Sequence, residues 1–231
     1  MPYNISVVIP CYNESATLIE ILERVNKQNN IDFNLEVILV NDGSTDNTHE
    51  LISSNKQLVD KYIKLEKNSG KGAAVKKALS VASGEYIIFQ DADLEYNPYE
   101  YSKFFNIIKS YSPDLVMGSR FLGSDFTKVM YFWNKVGNKL ITLTFNILFN
   151  TTFTDTYSCY LLYRKELVNP LDLKTNGWQQ HAEILATVVK KGSNFYEVPI
   201  SYNGRTFEEG KKIRARHFLT VIFTIFKKRL L

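Results

Sequence analysis

Apolar positions along the first half of the chain alternate between two spacings. Short runs rich in Val, Ile and Leu fall at residues 5–10, 35–40, 62–65, 86–89 and 115–120. Their length and β-branched content predict buried strands. Between them the spacing becomes helical. Leu18, Ile21, Leu22 and Val25 share one face of a helix over about 17–29, with Ser15 placed to cap it. Asp46 is placed to cap a second helix ending near Ser54, and Gly70-Lys71-Gly72 opens a third that reaches about Ala82. Asn97-Pro98 starts a fourth, to about Lys109, and another starts near Gln179. Short strands alternating with helices predict parallel βαβ units, an α/β fold with a mostly parallel sheet flanked by helices.

The pattern changes after about Phe121. Residues 129–153 are dense in Phe, Leu, Ile and Trp, with only Lys135 and Lys139 charged. They predict one or two amphipathic helices, either packed on the sheet as core or lying at a lipid interface. Residues 214–231 predict a further helix, in which Phe218, Leu219, Ile222, Phe223, Ile225 and Phe226 are flanked by Arg214, Arg216, Lys227, Lys228 and Arg229. It either closes the core or lies in an anionic interface. No linker or repeat divides the 231 residues. The expectation is one domain, 1–231, with successive parts 1–121, 122–210 and 211–231.

Composition narrows the partners. At 45% hydrophobic the chain is globular, and a net charge of +4 is too small to argue for nucleic acid. The positive excess is local: residues 211–229 hold seven Lys or Arg and no acid. Cys11 and Cys159 lack CxxC spacing, which argues against zinc and a disulfide framework and for small buried hydrophobes in a reducing compartment. Met1-Pro2-Tyr3-Asn4 lacks the basic start of a signal peptide. The uncharged apolar stretch 218–226 is far shorter than the ~20 residues of a membrane span. The expected setting is the cytoplasm, or the cytoplasmic face of a membrane.

Candidate chemistry gathers after the strands. Asp91-Ala92-Asp93 follows the 86–89 run. Two carboxylates there can hold a divalent metal against a diphosphate, or merely cap a turn. The loops Pro10-Cys11-Tyr12-Asn13-Glu14, Asn41-Asp42-Gly43-Ser44 and Gly70-Lys71-Gly72 should lie along the same sheet edge. Such an edge suits a nucleotide: an aromatic for the base, a carboxylate for base or ribose, and a Lys with a helix N-terminus for phosphates. Gly70-Lys71-Gly72 is not GxGxxG, since Val75 replaces the third Gly, and it lacks the Gly-Lys-Ser/Thr of a P-loop.

These motifs resemble those of glycosyltransferase family 2 enzymes of GT-A fold. The resemblance rests on residues 7–14, 41–46 and 68–74 and on Asp91-Ala92-Asp93, in that order. It implies a nucleotide-diphosphate-sugar donor, inverting transfer and Mg²⁺ or Mn²⁺. Pro10, Tyr12, Glu14, Asp42, Ser44, Lys71, Asp91 and Ala92 would bind the donor nucleotide. Asp91 and Asp93 would bind metal, joined by Glu95 where relatives often have Gln. Gly118-Ser119-Arg120-Phe121, residues 133–139, 198–205 and 208–212 resemble the polyprenyl-phosphate (dolichyl-phosphate) mannose and glucose synthase subgroup. That implies a lipid-phosphate acceptor in a membrane, contacted by Arg120, Lys135 and Arg205, with Asp93, Arg120 and Arg205 carrying catalysis. A UDP-sugar suits Asp42-Gly43-Ser44 somewhat better than a GDP-sugar. Oligomeric state is not legible.

The chain departs from the subgroup at Tyr157 and around Gln180 and His181, where relatives carry carboxylates, and at Lys135, where they carry Arg. An anionic lipid phosphate attacks without a strong general base, whereas a sugar hydroxyl needs one. The absence of a Glu-Asp pair near Gln179 favours the phosphate acceptor. The alternatives are a family 2 enzyme acting on a sugar hydroxyl in glycan assembly, and a donor-binding pseudoenzyme.

Overall fold

At the centre lie β1 (Tyr3–Cys11) and β2 (Phe33–Asn41), paired in parallel along their whole length. The computed structural model describes residues 2–123, 128–129, 131–205 and 216–230. Successive side chains of β1 point to opposite faces. Ile5, Val7 and Ile9 join one core cluster and Val8 the other, all fully buried. This is why the run reads as continuously apolar: both faces of the sheet are covered.

The remaining strands are β3 (Lys61–Lys64), β4 (Tyr86–Phe89), β5 (Leu115–Ser119), β6 (Leu161–Arg164) and β7 (Phe195–Pro199). They form one seven-stranded sheet in the order β3-β2-β1-β4-β6-β5-β7. The pairs β1–β2, β1–β4, β2–β3 and β5–β7 are parallel, whereas β6 runs antiparallel to both β4 and β5. The sheet is thus mostly parallel with one reversed strand. The sequence pattern predicts neither β6 nor β7. Each has at most five residues, and pairing with distant strands, rather than local propensity, defines them. The chain passes from β2 and β3 on one side of β1 to β4 on the other. That switch opens a crevice at the carboxyl ends of β1 and β4.

Helices cover both faces. On one lie α1 (Leu18–Asn26), α2 (Thr48–Ser54) and α4 (Tyr101–Tyr111); on the other lie α3 (Lys71–Leu79), α5 (Phe132–Phe149), α6 (Gln180–Lys191) and α7 (Arg216–Leu230). In α1 the buried residues are the expected Leu18, Ile21, Leu22 and Val25. Ser15 does not cap it: Thr17 stands at the N-cap, and the Ser15 amide instead donates to Asp46 Oδ2 at 3.1 Å, tying two loops together. Asp46 precedes the α2 N-cap, Asn47, yet still accepts the Thr48 amide at 3.1 Å.

The apolar second half is core in part and exposed in part. α5 is one helix, burying only Ile141, Thr142 and Phe145. Its Phe132, Trp133, Leu143 and Ile147 are exposed, as are Leu219, Phe223, Phe226 and Leu230 of α7, while Val221 and Ile225 of α7 are buried. The 208–212 motif, Arg214 and the start of the basic run lie outside the described residues.

Candidate active site

Two adjoining cavities open at the crevice. The first, about 340 Å³, is lined by the ends of β1 and β2, the Gly70-Lys71 turn and the loop after β4. The second, about 550 Å³, continues between the sheet, α5, α6 and α7. Pro10, Lys71, Asp91, Glu95, Trp178 and Tyr202 border both.

The smaller cavity collects five carboxylates, Glu14, Asp42, Asp91, Asp93 and Glu95, against two cations, Lys71 and Arg205. The acidic turn follows β4 directly. Leu94 within it has a left-handed backbone (φ 61°), and the Glu95 amide folds back onto Asp93 Oδ1 at 3.2 Å. A left-handed non-glycine residue is costly and is retained here by surrounding contacts. Lys71 Nζ holds Asp91 Oδ1 at 2.5 Å. Arg205 holds Glu14 with both terminal nitrogens, at 3.0 and 3.1 Å, and Asp93 Oδ2 at 2.8 Å. Glu95 accepts the Tyr202 hydroxyl at 2.7 Å and the Arg205 amide at 2.8 Å. Burial, then repulsion from Asp91 and Glu95, pushes the Asp93 carboxyl up to about 7 against the pull of Arg205.

Among the described residues no three acidic, thiol or imidazole side chains converge as a preformed cation cage. Asp91 faces Lys71, while Asp93 and Glu95 face Arg205. The donor set nevertheless fits a divalent ion. The carboxylates are oxygen ligands of the kind Mg²⁺ and Mn²⁺ take, and their surplus charge would repel a diphosphate unless a cation joined them.

Several predicted residues hold other parts of the site in place. Both Asp42 oxygens accept backbone amides, from Ser69 at 2.8 Å and Gly70 at 2.9 Å, so Asp42 pins the third loop beside the cavity it lines. Ser44 is not in the cavity wall; its hydroxyl accepts the Asn13 amide at 2.9 Å. The N-terminus of α3 is already capped, because the Asn176 carbonyl accepts the amides of Gly72 at 2.7 Å and Ala73 at 3.2 Å. Lys71 is therefore the α3 lysine that lines the cavity. Pro10, Tyr12, Glu14, Lys71, Asp91 and Ala92 do line the smaller cavity.

The larger cavity has apolar walls from α3, α5 and α7, including Val75, Val136, Leu140, Phe218 and Val221. Its polar end holds Arg120, buried and bonded to Asp155 through Nε at 2.6 Å and Nη2 at 2.9 Å, with the Tyr202 ring 5.2 Å from its guanidinium. Lys135 sits apart from that polar end. It lies exposed on α5 near the Phe121 ring, at 5.8 Å, and outside the cavity wall, which takes Asn134 and Asn138 instead. Tyr157 and His181, the two departures, meet edge to face at 5.9 Å in that wall. Burial, then Lys71, pushes the His181 imidazole down to about 4, so it is neutral near pH 7, and its Nε2 is buried without a hydrogen-bond partner among the described residues. Sequence reasoning missed Trp178, whose ring lies 5.2 Å from Lys71 Nζ. It also missed the α7 residues. No motif marks either, since long-range packing brings them in. Cys11 is buried and Cys159 half-buried.

The family model for glycosyl transferase family 2 matches residues 6–171. The dolichol-phosphate mannosyltransferase of Pyrococcus furiosus is 30% identical over 213 residues, which cover 90% of this chain and 58% of that protein. The low-salt glycan biosynthesis hexosyltransferase Agl6 of Haloferax volcanii is 29% identical over 206 residues, 88% of this chain and 49% of its own. The chain thus spans about half to three-fifths of these relatives' lengths. Among solved structures, glucosyl-3-phosphoglycerate synthase of Mycobacterium tuberculosis, in complex with Mn²⁺, UDP and glucosyl-3-phosphoglycerate, is similar in fold. It has a TM-score of 0.74 at 18% identity, over 99% of this chain and 81% of that one.

Proposed function

The chain belongs to glycosyltransferase family 2, and on that footing we propose that it moves a hexose from a nucleotide-diphosphate sugar to a polyprenyl phosphate, with inversion and with Mg²⁺ or Mn²⁺. The observation that carries this reading is the junction of the two cavities. A small, charged one meets a larger, apolar-walled one at Lys71, Asp91, Glu95 and Tyr202. A donor diphosphate belongs in the first and a lipid chain in the second, so that their reacting groups meet at the shared border. UDP in the structurally similar synthase supports a uridine donor.

Asp91 and Asp93, with Glu95 beside them, would hold the metal, which when bound neutralises the departing diphosphate. Lys71 supplies a cation at the same border. Arg120 is locked by Asp155 at the polar end of the larger cavity, so a phosphate entering there meets a fixed positive charge without reorganisation. Arg205, now engaged by Glu14 and Asp93, can turn its fork to a phosphate once a cation relieves those carboxylates.

Among the described residues no carboxylate is placed as a base for a sugar hydroxyl near α6. Glu183 is 1% exposed and accepts the amides of Lys174 and Thr175. Asp91 and Glu95 are engaged by Lys71, Tyr202 and Arg205. A phosphate nucleophile needs no such base.

No helix among the described residues is long and apolar enough to cross a membrane. The exposed apolar faces of α5 and α7, with Lys227 and Arg229 exposed at the end of α7, suit peripheral contact with an anionic lipid surface. The cytoplasmic face is the expected side.

The test is transfer from radiolabelled UDP- and GDP-sugars to short-chain polyprenyl phosphate with Mn²⁺ or Mg²⁺. The expected result is a chloroform-soluble product whose formation falls at least ~100-fold in Asp93→Ala. Transfer to an oligosaccharide but not to the lipid would replace this reading with a sugar-hydroxyl acceptor. Donor binding without turnover on either acceptor would leave a donor-binding protein.

A further inference from the structure

α7 reaches the donor side of the site through a buried carboxylate. Glu183, on the first turn of α6, accepts four hydrogen bonds from the segment just before that helix. They come from the Lys174 amide at 3.0 and 3.2 Å, the Thr175 amide at 2.9 Å and the Thr175 hydroxyl at 2.6 Å. The cation beside it is Lys228 of α7, with Nζ at 3.0 Å. Glu183 is 1% exposed and Lys228 25%. Burial by itself would raise the Glu183 carboxyl, and the hydrogen bonds and Lys228 turn that into a net lowering.

The segment that Glu183 holds bears directly on the donor cavity. The next residue, Asn176, caps α3 through its carbonyl, and its side-chain oxygen accepts Lys76 Nζ at 2.5 Å. The fit is tight: a Cβ on Gly70 would stand 2.5 Å from the Asn176 carbonyl oxygen, and one on Gly72 would stand 2.7 Å from its carbonyl carbon. Two residues on, Trp178 lies beside Lys71 and borders both cavities. At its other end α7 meets the same segment again, with the His217 ring 6.1 Å from that of Trp178. A displacement of residues 174–178 therefore moves Lys71 and the Gly70 turn.

We propose that Lys228 and Glu183 are positioning residues for the donor cavity. The α7 lysine, through Glu183, seats residues 174–178 against the start of α3 and so fixes where Lys71 and the Gly70 turn meet the nucleotide. The inference rests on the donor reading above. It gives the α6 acid a role in holding the pocket's shape. It also joins the helix whose outer face is exposed and apolar to the nucleotide side of the site.

The test uses the full chain, UDP and Mn²⁺. Calorimetric titration measures UDP affinity, and amide exchange is followed at Lys174, Thr175 and Gly72. Lys228→Met is expected to weaken UDP binding about fivefold, at the low end of couplings between linked sites, and to speed exchange at those three amides. Lys228→Arg keeps the charge and is expected to restore both. Lys191→Met removes an exposed α6 lysine of equal charge and is expected to change neither. Unchanged UDP affinity in Lys228→Met, with a lower melting temperature, would reduce the pair to a structural brace and overturn the proposal. An equal loss in Lys191→Met would trace the effect to net charge and overturn it too. If the wild type binds neither UDP nor GDP, the donor reading itself falls; in that case the amide exchange still reports whether α7 holds residues 174–176.

Discussion

Arg120 and Asp155 are both almost fully buried and exchange two hydrogen bonds through the guanidinium fork. Removing one partner of such a pair strands a charge in a low-dielectric interior, whereas the intact pair contributes little net stability. Asp155→Asn is therefore expected to cost about 3–5 kcal/mol in urea unfolding, and also to release Arg120 from the cavity wall. Gly72 shows a second kind of residue-level constraint. Its Cβ would collide with the Asn176 backbone at 2.7 to 2.9 Å, and no flexible side chain there can give way. Gly72→Ala is expected to push residues 174–178 off α3, to lower stability by about 1–3 kcal/mol as overpacking does, and to weaken UDP binding. Thermal melts and nucleotide titration check the two effects separately. The motif residues themselves were legible because short-range chemistry marks them: acids after a strand, a lysine between glycines. Their partners were not. Arg205 reaches Glu14 across 191 positions and Asp93 across 112.

Among elements, β1 and β2 are joined to the turn before β4 by one acid. Glu36 of β2 accepts Ser6 Oγ of β1, the amide and hydroxyl of Ser83, and Lys61 of β3. Burial would raise its carboxyl, but these bonds outweigh that and draw it from 4.5 down to about 2. Because the folded value is the lower one, the stabilisation is complete above about pH 4.5 and is lost as pH falls toward 2. Glu36→Gln should therefore be less stable than wild type at pH 7, with the difference shrinking through that window; denaturation series at stepped pH would show it. Strand and helix identity was readable in the first half, where apolar runs and helical spacing alternate. β6 escaped because its four residues take their register from β4 and β5 on either side.

For the molecule as a whole, the outer faces of α5 and α7 form an exposed apolar surface beside the larger cavity. Phe223 is 70% exposed there. Phe223→Asp should reduce flotation with vesicles containing anionic lipid several-fold, since it removes buried apolar area and adds a repelled charge. It should leave UDP affinity in solution unchanged, because Phe223 borders neither cavity. Loss of both, or of neither, would remove α7 from the membrane-facing surface.

The sequence by itself determined the strand–helix alternation, the family and the acidic turn, because each depends on residues close along the chain. Tertiary structure decided which of those residues face the cavities and which brace them. Asp42 lines the smaller cavity and also ties the third loop, Ser44 is a loop tie outside the wall, Lys135 lies outside the larger cavity's wall, and the Asn176 carbonyl takes the helix end expected for phosphate. It also decided how α7, an amphipathic helix open to two readings, divides its apolar residues. Val221 and Ile225 enter the core while Leu219 and Phe223 stay outside. The reason is physical: a hydrogen bond or a buried face goes to whatever partner the fold brings near, and for these residues that partner lies far away in sequence.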